Sequence, residues 1–485
     1  MHSLYRSNPA CNRGQAAAAA PAVALAMVLA VAVALAGALA MREPAPLAVV
    51  EAQSLAQPFL TTQAAVVPPF EPRAGAEVLE TLPRRGAAPQ AALRRLRAQL
   101  AAAPRDQALA STLAQRYIEL GRAQGDPRYF GYAQAALAPW WNDAAPPLPA
   151  LLLRATLLQS NHRFDEAIRD LETVLRMDPA NAQAWLTLAT VQVVRGQHGA
   201  AVRSCGRLSS LAGQLVSITC LANARAANGQ LAASERLLVL AVARSDAAPG
   251  AEAVGGAGGR SGGASGGASD EASGELGGAG AGAWGGTMRV TDAGMAGVRL
   301  WASTLLGELA ARRGDHAQAE ARFRQALAIA PGDSYLLGAY ADLMLDQGRH
   351  AEVQALLREH VRNDGLLLRH TLAASLAARA PPATVASAID ELQARFDAAQ
   401  RRGESIHGRE QARFELHLRH DPHTALRIAQ ANWQAQKEAA DLRVLLEAAL
   451  AAREPAAARD ALAWRRQHQF EDAKIAALAR ELEGG

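Results

Sequence analysis

Three histidines crowd one short run of this chain. His417, His420 and His423 fall in HLRHDPH, beside Asp421. A spacing of three places His417 and His420 on one helical face, and Pro422 interrupts the helix before His423. Imidazoles spaced this way can share a divalent metal, so all three are candidate metal ligands. The sequence supplies no further ligand, and the same residues also suit a solvated or capping role in a turn. The thiols are Cys11, Cys205 and Cys220. None forms C-x-x-C, which excludes a dithiol redox motif. The chain also lacks H-E-x-x-H, G-x-S-x-G, a phosphate-binding loop and a dinucleotide fingerprint. No catalytic residue, no cofactor and no enzymatic activity are therefore expected.

The elements carrying these residues are helical, and their sequence repeats. In a frame of 34 residues starting at Leu300, Gly307, Gly314, Ala319, Phe323, Ala326 and Pro331 fall at positions 8, 15, 20, 24, 27 and 32. Starting at Leu148, the frame places Ala155, Ala167, Leu171 and Pro179 at 8, 20, 24 and 32. Small residues at 8 and 20 let two helices approach closely. A bulky residue at 24 fills the space beside the crossing, and glycine at 15 suits a left-handed turn. Proline at 32 ends the second helix. Weaker copies begin at Ala182, Leu215 and Ser334. Residues 106–139 read as a copy with a turn lengthened by GDPRYF, and the regions after 365 are helical but depart from the pattern.

The pattern resembles the tetratricopeptide repeat (TPR). It implies an all-α fold, a solenoid of helical hairpins wound as a right-handed superhelix. The resemblance also implies a job, which is gripping other proteins in the concave surface lined by the first helix of each repeat. Carried over position by position, that surface consists of Leu152, Thr156 and Gln159; Gln183, Leu186, Thr190 and Val194; Thr219 and Asn223; and Trp301, Thr304, Glu308 and Arg312. No lysine stands at position 5, so the family's clamp for acidic C-terminal peptides is absent. The lining implies a partner segment of modest charge. In such a stack Cys205 and Cys220 lie on neighbouring helices of successive repeats. They pair as a disulfide in an oxidising compartment or remain as buried thiols.

Composition agrees with tight helix packing. Aromatic residues are 4% and alanine, the best helix former, is abundant. The net charge of +4 is spread over mixed helix faces, without the basic, aromatic-interleaved stripe that nucleic acid requires. No small-molecule substrate is expected.

The chain divides as follows. Residues 1–13 are a short basic start, and 14–41 form an uncharged run long enough to cross a bilayer. Arg6 and Arg13 hold the start in the cytoplasm, which puts the remainder in the periplasm of a Gram-negative cell. The run is either a single-pass inner-membrane anchor or a signal peptide cleaved after Ala38-Leu39-Ala40. Residues 42–90 are a proline- and alanine-rich spacer. The repeats occupy 91–245 and 298–485, separated by a flexible Gly/Ser-rich insertion at 246–297. The expected partners are cell-envelope proteins, with the membrane engaged through the N-terminal helix.

Overall fold

The structure, a computed structural model, describes residues 87–247, 292–377, 383–401 and 408–484. Segments 1–13 and 14–41, most of the 42–90 spacer and most of the 246–297 insertion lie outside the described residues. Within those described there is no strand, and no helix is long and apolar enough to cross a membrane.

Helix α1 (Ala87–Ala102) starts inside the stretch read as spacer. Hairpins then follow one another: α2 (Gln107–Gln124) with α3 (Arg128–Ala136), and, after the short α4 (Ala138–Trp141), α5 (Leu148–Ser160) with α6 (Phe164–Met177). Next come α7 (Ala182–Val194) with α8 (His198–Leu208), and α9 (Gln214–Ala226) with α10 (Leu231–Ala247). Beyond the glycine tract lie α11 (Asp292–Arg313) with α12 (His316–Ile329), and α13 (Ser334–Asp346) with α14 (His350–Leu357). The last hairpins are α15 (Asp364–Ala377) with α16 (Ala383–Arg401), α17 (Gly408–His417) with α18 (Pro422–Ala435), and α19 (Ala439–Ala451) with α20 (Arg459–Gln467). Helix α21 (Ala473–Gly484) closes the described chain.

Helix α6 illustrates why these segments are helical. Phe164, Ala167, Leu171, Val174 and Leu175 recur at helical spacing, and all are buried. Asp165 and Glu166 occupy its first turn and Arg176 its last, which complements the helix dipole. Side-chain caps start other helices. Asn181 accepts from the Ala184 amide, Asp315 from Gln318 and Asp333 from Leu336.

Most of the hairpin turns among the described residues share one device. One residue adopts a left-handed conformation, and the next amide bonds to a carbonyl five residues back. The bonds Asp126 N–Gly121 O (3.0 Å), Gln197 N–Gln192 O (2.7 Å), Gln230 N–Arg225 O (3.1 Å) and Asp315 N–Ala310 O (2.9 Å) all follow this rule. Glycine fills the left-handed position at 125, 196, 229, 314 and 348. At Gly307 a different constraint acts. A Cβ there would lie 2.5 Å from the Phe323 ring, so the α11–α12 crossing admits no side chain.

The hydrophobic core runs across the glycine tract. Leu231, Leu238 and Ala241 on one side share a buried cluster with Val298, Ala302, Leu305 and Leu309 on the other. Arg299 donates to the Ser245 carbonyl (3.0 Å), and Arg313 pairs with Glu235 (2.7 Å). Within the same cluster Cys205 and Cys220 are bonded, joining α8 to α9. Closing a loop of this length contributes on the order of 3 kcal/mol.

The C-terminal hairpins do not simply extend the row. They return to the turn edge of the earlier repeats. The Lys437 amide donates to the Val194 carbonyl (2.8 Å), and Arg195 donates to the carbonyls of Gln434 (2.9 Å) and Ala435 (3.0 Å). The Leu231 amide donates to Glu471 (3.1 Å). Further along, Asp342 on α13 binds both Arg369 on α15 (2.6 Å) and Arg413 on α17 (2.9 Å).

Candidate functional site: a central hollow

Because the late hairpins fold back, they border, together with the earlier turns, a hollow of about 2090 Å³ that stays open to solvent on one side. The α2–α3 turn (Gly125–Tyr132) and the α5–α6 turn (Gln159–Phe164) form part of its wall, with Thr190 and Val194 at the end of α7. The loops at 332–335 and 359–366 form another part. Arg395, Arg409, Glu410, Gln436 and Glu438 complete it from the C-terminal hairpins. The α2–α3 turn reaches the far wall closely, since a Cβ at Gly125 would lie 2.4 Å from the Asn363 amide nitrogen.

Aromatic side chains open into this space. Tyr132 is 53% exposed and Tyr335 is 62% exposed. Tyr132 belongs to a cluster with Tyr129 and buried Tyr117, at centroid separations of 5.5–6.2 Å. Tyr335 donates its hydroxyl to Glu308. The charge of Glu308 and the surrounding protein together push the phenol well above its usual range. Solvent reaches Tyr335, yet protein surrounds it, as expected of a side chain facing a hollow.

Arg409 organises the adjacent wall. It contacts Glu410 (3.2 Å), Glu438 (3.4 Å) and Asp441 (3.7 Å). Glu438 and Asp441 form a capping box at the start of α19, and Asn432 donates to Asp441 (2.9 Å). Burial and then the neighbouring Asp441 carboxylate push Glu438 up to about 7. The wall thus combines phenol rings, paired charges and hydroxyls. Such a surface binds by contact and hydrogen bonding.

The residues expected to line a groove are placed in several ways. Gln159, Thr190 and Val194 stand on the wall of the hollow. Leu152, Thr156, Asn223, Trp301 and Glu308 are half-buried. Gln183, Leu186, Thr219 and Thr304 are buried between helices. Thr156, Thr190, Thr219 and Thr304 each donate to the carbonyl four residues back, which satisfies their hydroxyls within their own helix. Arg312 is engaged by the chain itself. It donates to the carbonyls of Ala226 (3.1 Å) and Glu471 (2.9 Å), and its guanidinium lies 4.4 Å from the Phe470 ring centroid. Tyr129 was legible only within the lengthened GDPRYF turn, and Tyr132, Arg409 and Glu438 carried no motif.

The histidine run is a correction. His417 faces Glu447 (3.4 Å) and His423 bonds Glu454 (2.9 Å), two separate carboxylates. His420 supplies the left-handed residue of the α17–α18 turn. Among the described residues no three His, Cys, Asp or Glu side chains could hold a metal together. His417 and His423 thus serve separate carboxylates, while His420 serves the turn through its backbone angle.

Comparison with known proteins agrees on the repeat. Tetratricopeptide-repeat family models match residues 152–207 and 310–380. Similar solved structures include a tetratricopeptide repeat protein from Parabacteroides merdae, 13% identical, covering 63% of this chain and 92% of that one with a TM-score of 0.36. A Rap protein complexed with Competence and Sporulation Factor is 11% identical over 71% of this chain and 93% of its own, with a TM-score of 0.42. Yeast Tom70 is 11% identical over 82% and 62%, with a TM-score of 0.31. No curated protein matches the chain.

Proposed function

Since this chain belongs to the tetratricopeptide-repeat family, we propose that it is a non-enzymatic scaffold that holds a segment of a partner protein in its central hollow. One observation carries the reading: the hollow is walled by repeats from both ends of the array, and exposed Tyr132 and Tyr335 open into it. Aromatic side chains with a polar tip are the groups that protein interfaces favour at their anchoring points. The polar and paired charges around them suit a partner segment of modest net charge.

The finer part of the proposal concerns place. The uncharged run 14–41 behind Arg6 and Arg13 supports an envelope protein whose repeats lie in the periplasm. The chain is then anchored by one span in the inner membrane, or released after cleavage near Ala40. Its partners are then other envelope proteins.

A photo-cross-linking residue at Tyr132 or Tyr335, used in cells, tests the binding site. The control is the same residue at Met177 or Leu240, which are exposed but do not line the hollow. A discrete protein captured from the first pair and not from the second is the expected result. Equal capture from both pairs, or none from the tyrosines, defeats the reading. Protease accessibility of the repeats in spheroplasts tests the envelope placement separately.

A further inference from the structure

Where the C-terminal hairpins meet the earlier turns, a histidine is sealed in the interface. His198 opens α8 directly after the Gly196 turn and is 1% exposed. Among the described residues neither ring nitrogen has a hydrogen-bond partner. Its neighbours across the interface are aromatic. Trp464 packs edge-on at 5.4 Å and His468 at 4.8 Å, and Trp464 in turn contacts Trp433 and Phe470. All four belong to the returning hairpins and the link before α21.

Among the described residues the charges around the ring offer it no counter-ion. His468 and Arg312 act on it, and both disfavour its protonated form. Arg195 and Lys437 flank the same turn from the end of α7 and the α18–α19 link. Of the nearby acids, Glu471 accepts from the Leu231 amide and Asp472 from the Ile475 amide, and both act electrostatically on Arg312. Asn228 contacts the His468 ring at 3.3 Å. A neutral imidazole fits this apolar box, whereas an imidazolium would be buried without a partner.

We propose that His198 is an acid-released clasp. Protonation of its ring expels it from the box formed by Trp464 and His468, detaches the C-terminal hairpins from the turn edge, and opens the central hollow. Burial and the adjacent His468 and Arg312 hold the imidazole down at about 4, against an ordinary 6.5. The sign follows from linkage. A group with a depressed folded value takes up a proton on release, so the closed form weakens as pH falls from about 6.5 towards 4. The clasp is independent of what the hollow binds.

The Lys437 amide, bonded across the interface to the Val194 carbonyl, reports the opening. Hydrogen exchange on the full-length protein, corrected for intrinsic rates, reads its protection. Between pH 6 and 5 that protection is expected to fall about sevenfold, as uptake of most of one proton requires, while the α5–α6 amides keep theirs. His198→Phe is expected to abolish the slope and hold the hairpins closed at pH 5. His468→Gln is expected to retain it. A flat wild-type profile, an unchanged slope in His198→Phe, or a slope lost in His468→Gln overturns the clasp. Equal loss of protection in α5–α6 also overturns it, because that is global unfolding.

Discussion

The hairpin turns fall into two rows under different constraints. In the earlier row, Gly196 and Gly229 adopt φ of 72°, and the returning hairpins lie against them. A Cβ at Gly196 would lie 2.8 Å from the Lys437 side chain. At Gly229 it would lie 2.7 Å from Gln469 Cβ and 3.1 Å from its carbonyl oxygen. Glycine is required there twice, by backbone angle and by contact. In the later row the equivalent positions hold His420 (φ 55°) and Arg453 (φ 57°). No later hairpin covers Arg453, which is exposed, so only the backbone angle acts. The comparison teaches that glycine at 196 and 229 answers contact as well as backbone angle, whereas His420 and Arg453 answer the angle alone; at His162 (φ 56°) a docked turn carries a side chain, which itself makes the contact with Gln436 (2.7 Å).

Substitutions grade this contrast. Gly229→Ala should cost the most, about 3 kcal/mol, because a left-handed alanine costs about 1–2 kcal/mol and overpacking against backbone adds about 1–3 kcal/mol. Chemical denaturation should read the loss, and a cost below 1 kcal/mol would mean that the two rows do not meet as described. Gly348→Ala comes next. Its φ is 70°, but no atom lies within 4 Å of the added Cβ, so only about 1 kcal/mol of backbone strain remains. Arg453→Gly is the smallest and reverses the sign. Relief of strain exceeds the added chain entropy by about 0.5 kcal/mol, a gain visible as a small rise in Tm.

Acid also sets the His198 clasp apart from a second junction, which lies within the later repeats and ties α13 to α15 and α17. Burial pushes the Asp342 carboxyl up, but Arg369 and Arg413 outweigh it and hold the group well below the usual carboxylate range. A depressed acid stabilises the fold above its unfolded value near 3.8 and loses that contribution as pH falls further. The His198 clasp should therefore loosen between about 6.5 and 4, before the Asp342 junction does. Asp342→Asn should leave the first step of an acid titration in place and weaken the protein at neutral pH. A circular dichroism titration of both variants checks the order, and a single transition shared by both would merge the two links into one.

Much of the repeat was legible from local pattern. Gly307 opposite Phe323, Gly314 in its turn and Ala155 opposite Ala167 announce a helix pair, because each residue answers a constraint set by its own hairpin. Cys205 and Cys220 were likewise readable as neighbours, but their bond was not, since spacing permits proximity without choosing a redox state. The groove was legible only in part. The groove positions carried over from the family resemblance include Gln159, Thr190 and Val194, which line the hollow. The same carry-over nominated Arg312, whose partners are carbonyls of the chain's own Ala226 and Glu471.

By itself, then, the order of residues determined the helices, their pairing into hairpins and the glycine turns between them, all of which depend on contacts a few residues to a few tens of residues apart. Tertiary structure alone decided that the late hairpins return to the early turns, bury His198 against Trp464 and His468, and wall in a hollow. Those contacts join residues more than two hundred positions apart, such as Val194 and Lys437. Their geometry accumulates from small rotations between successive repeats, which no local window of sequence contains.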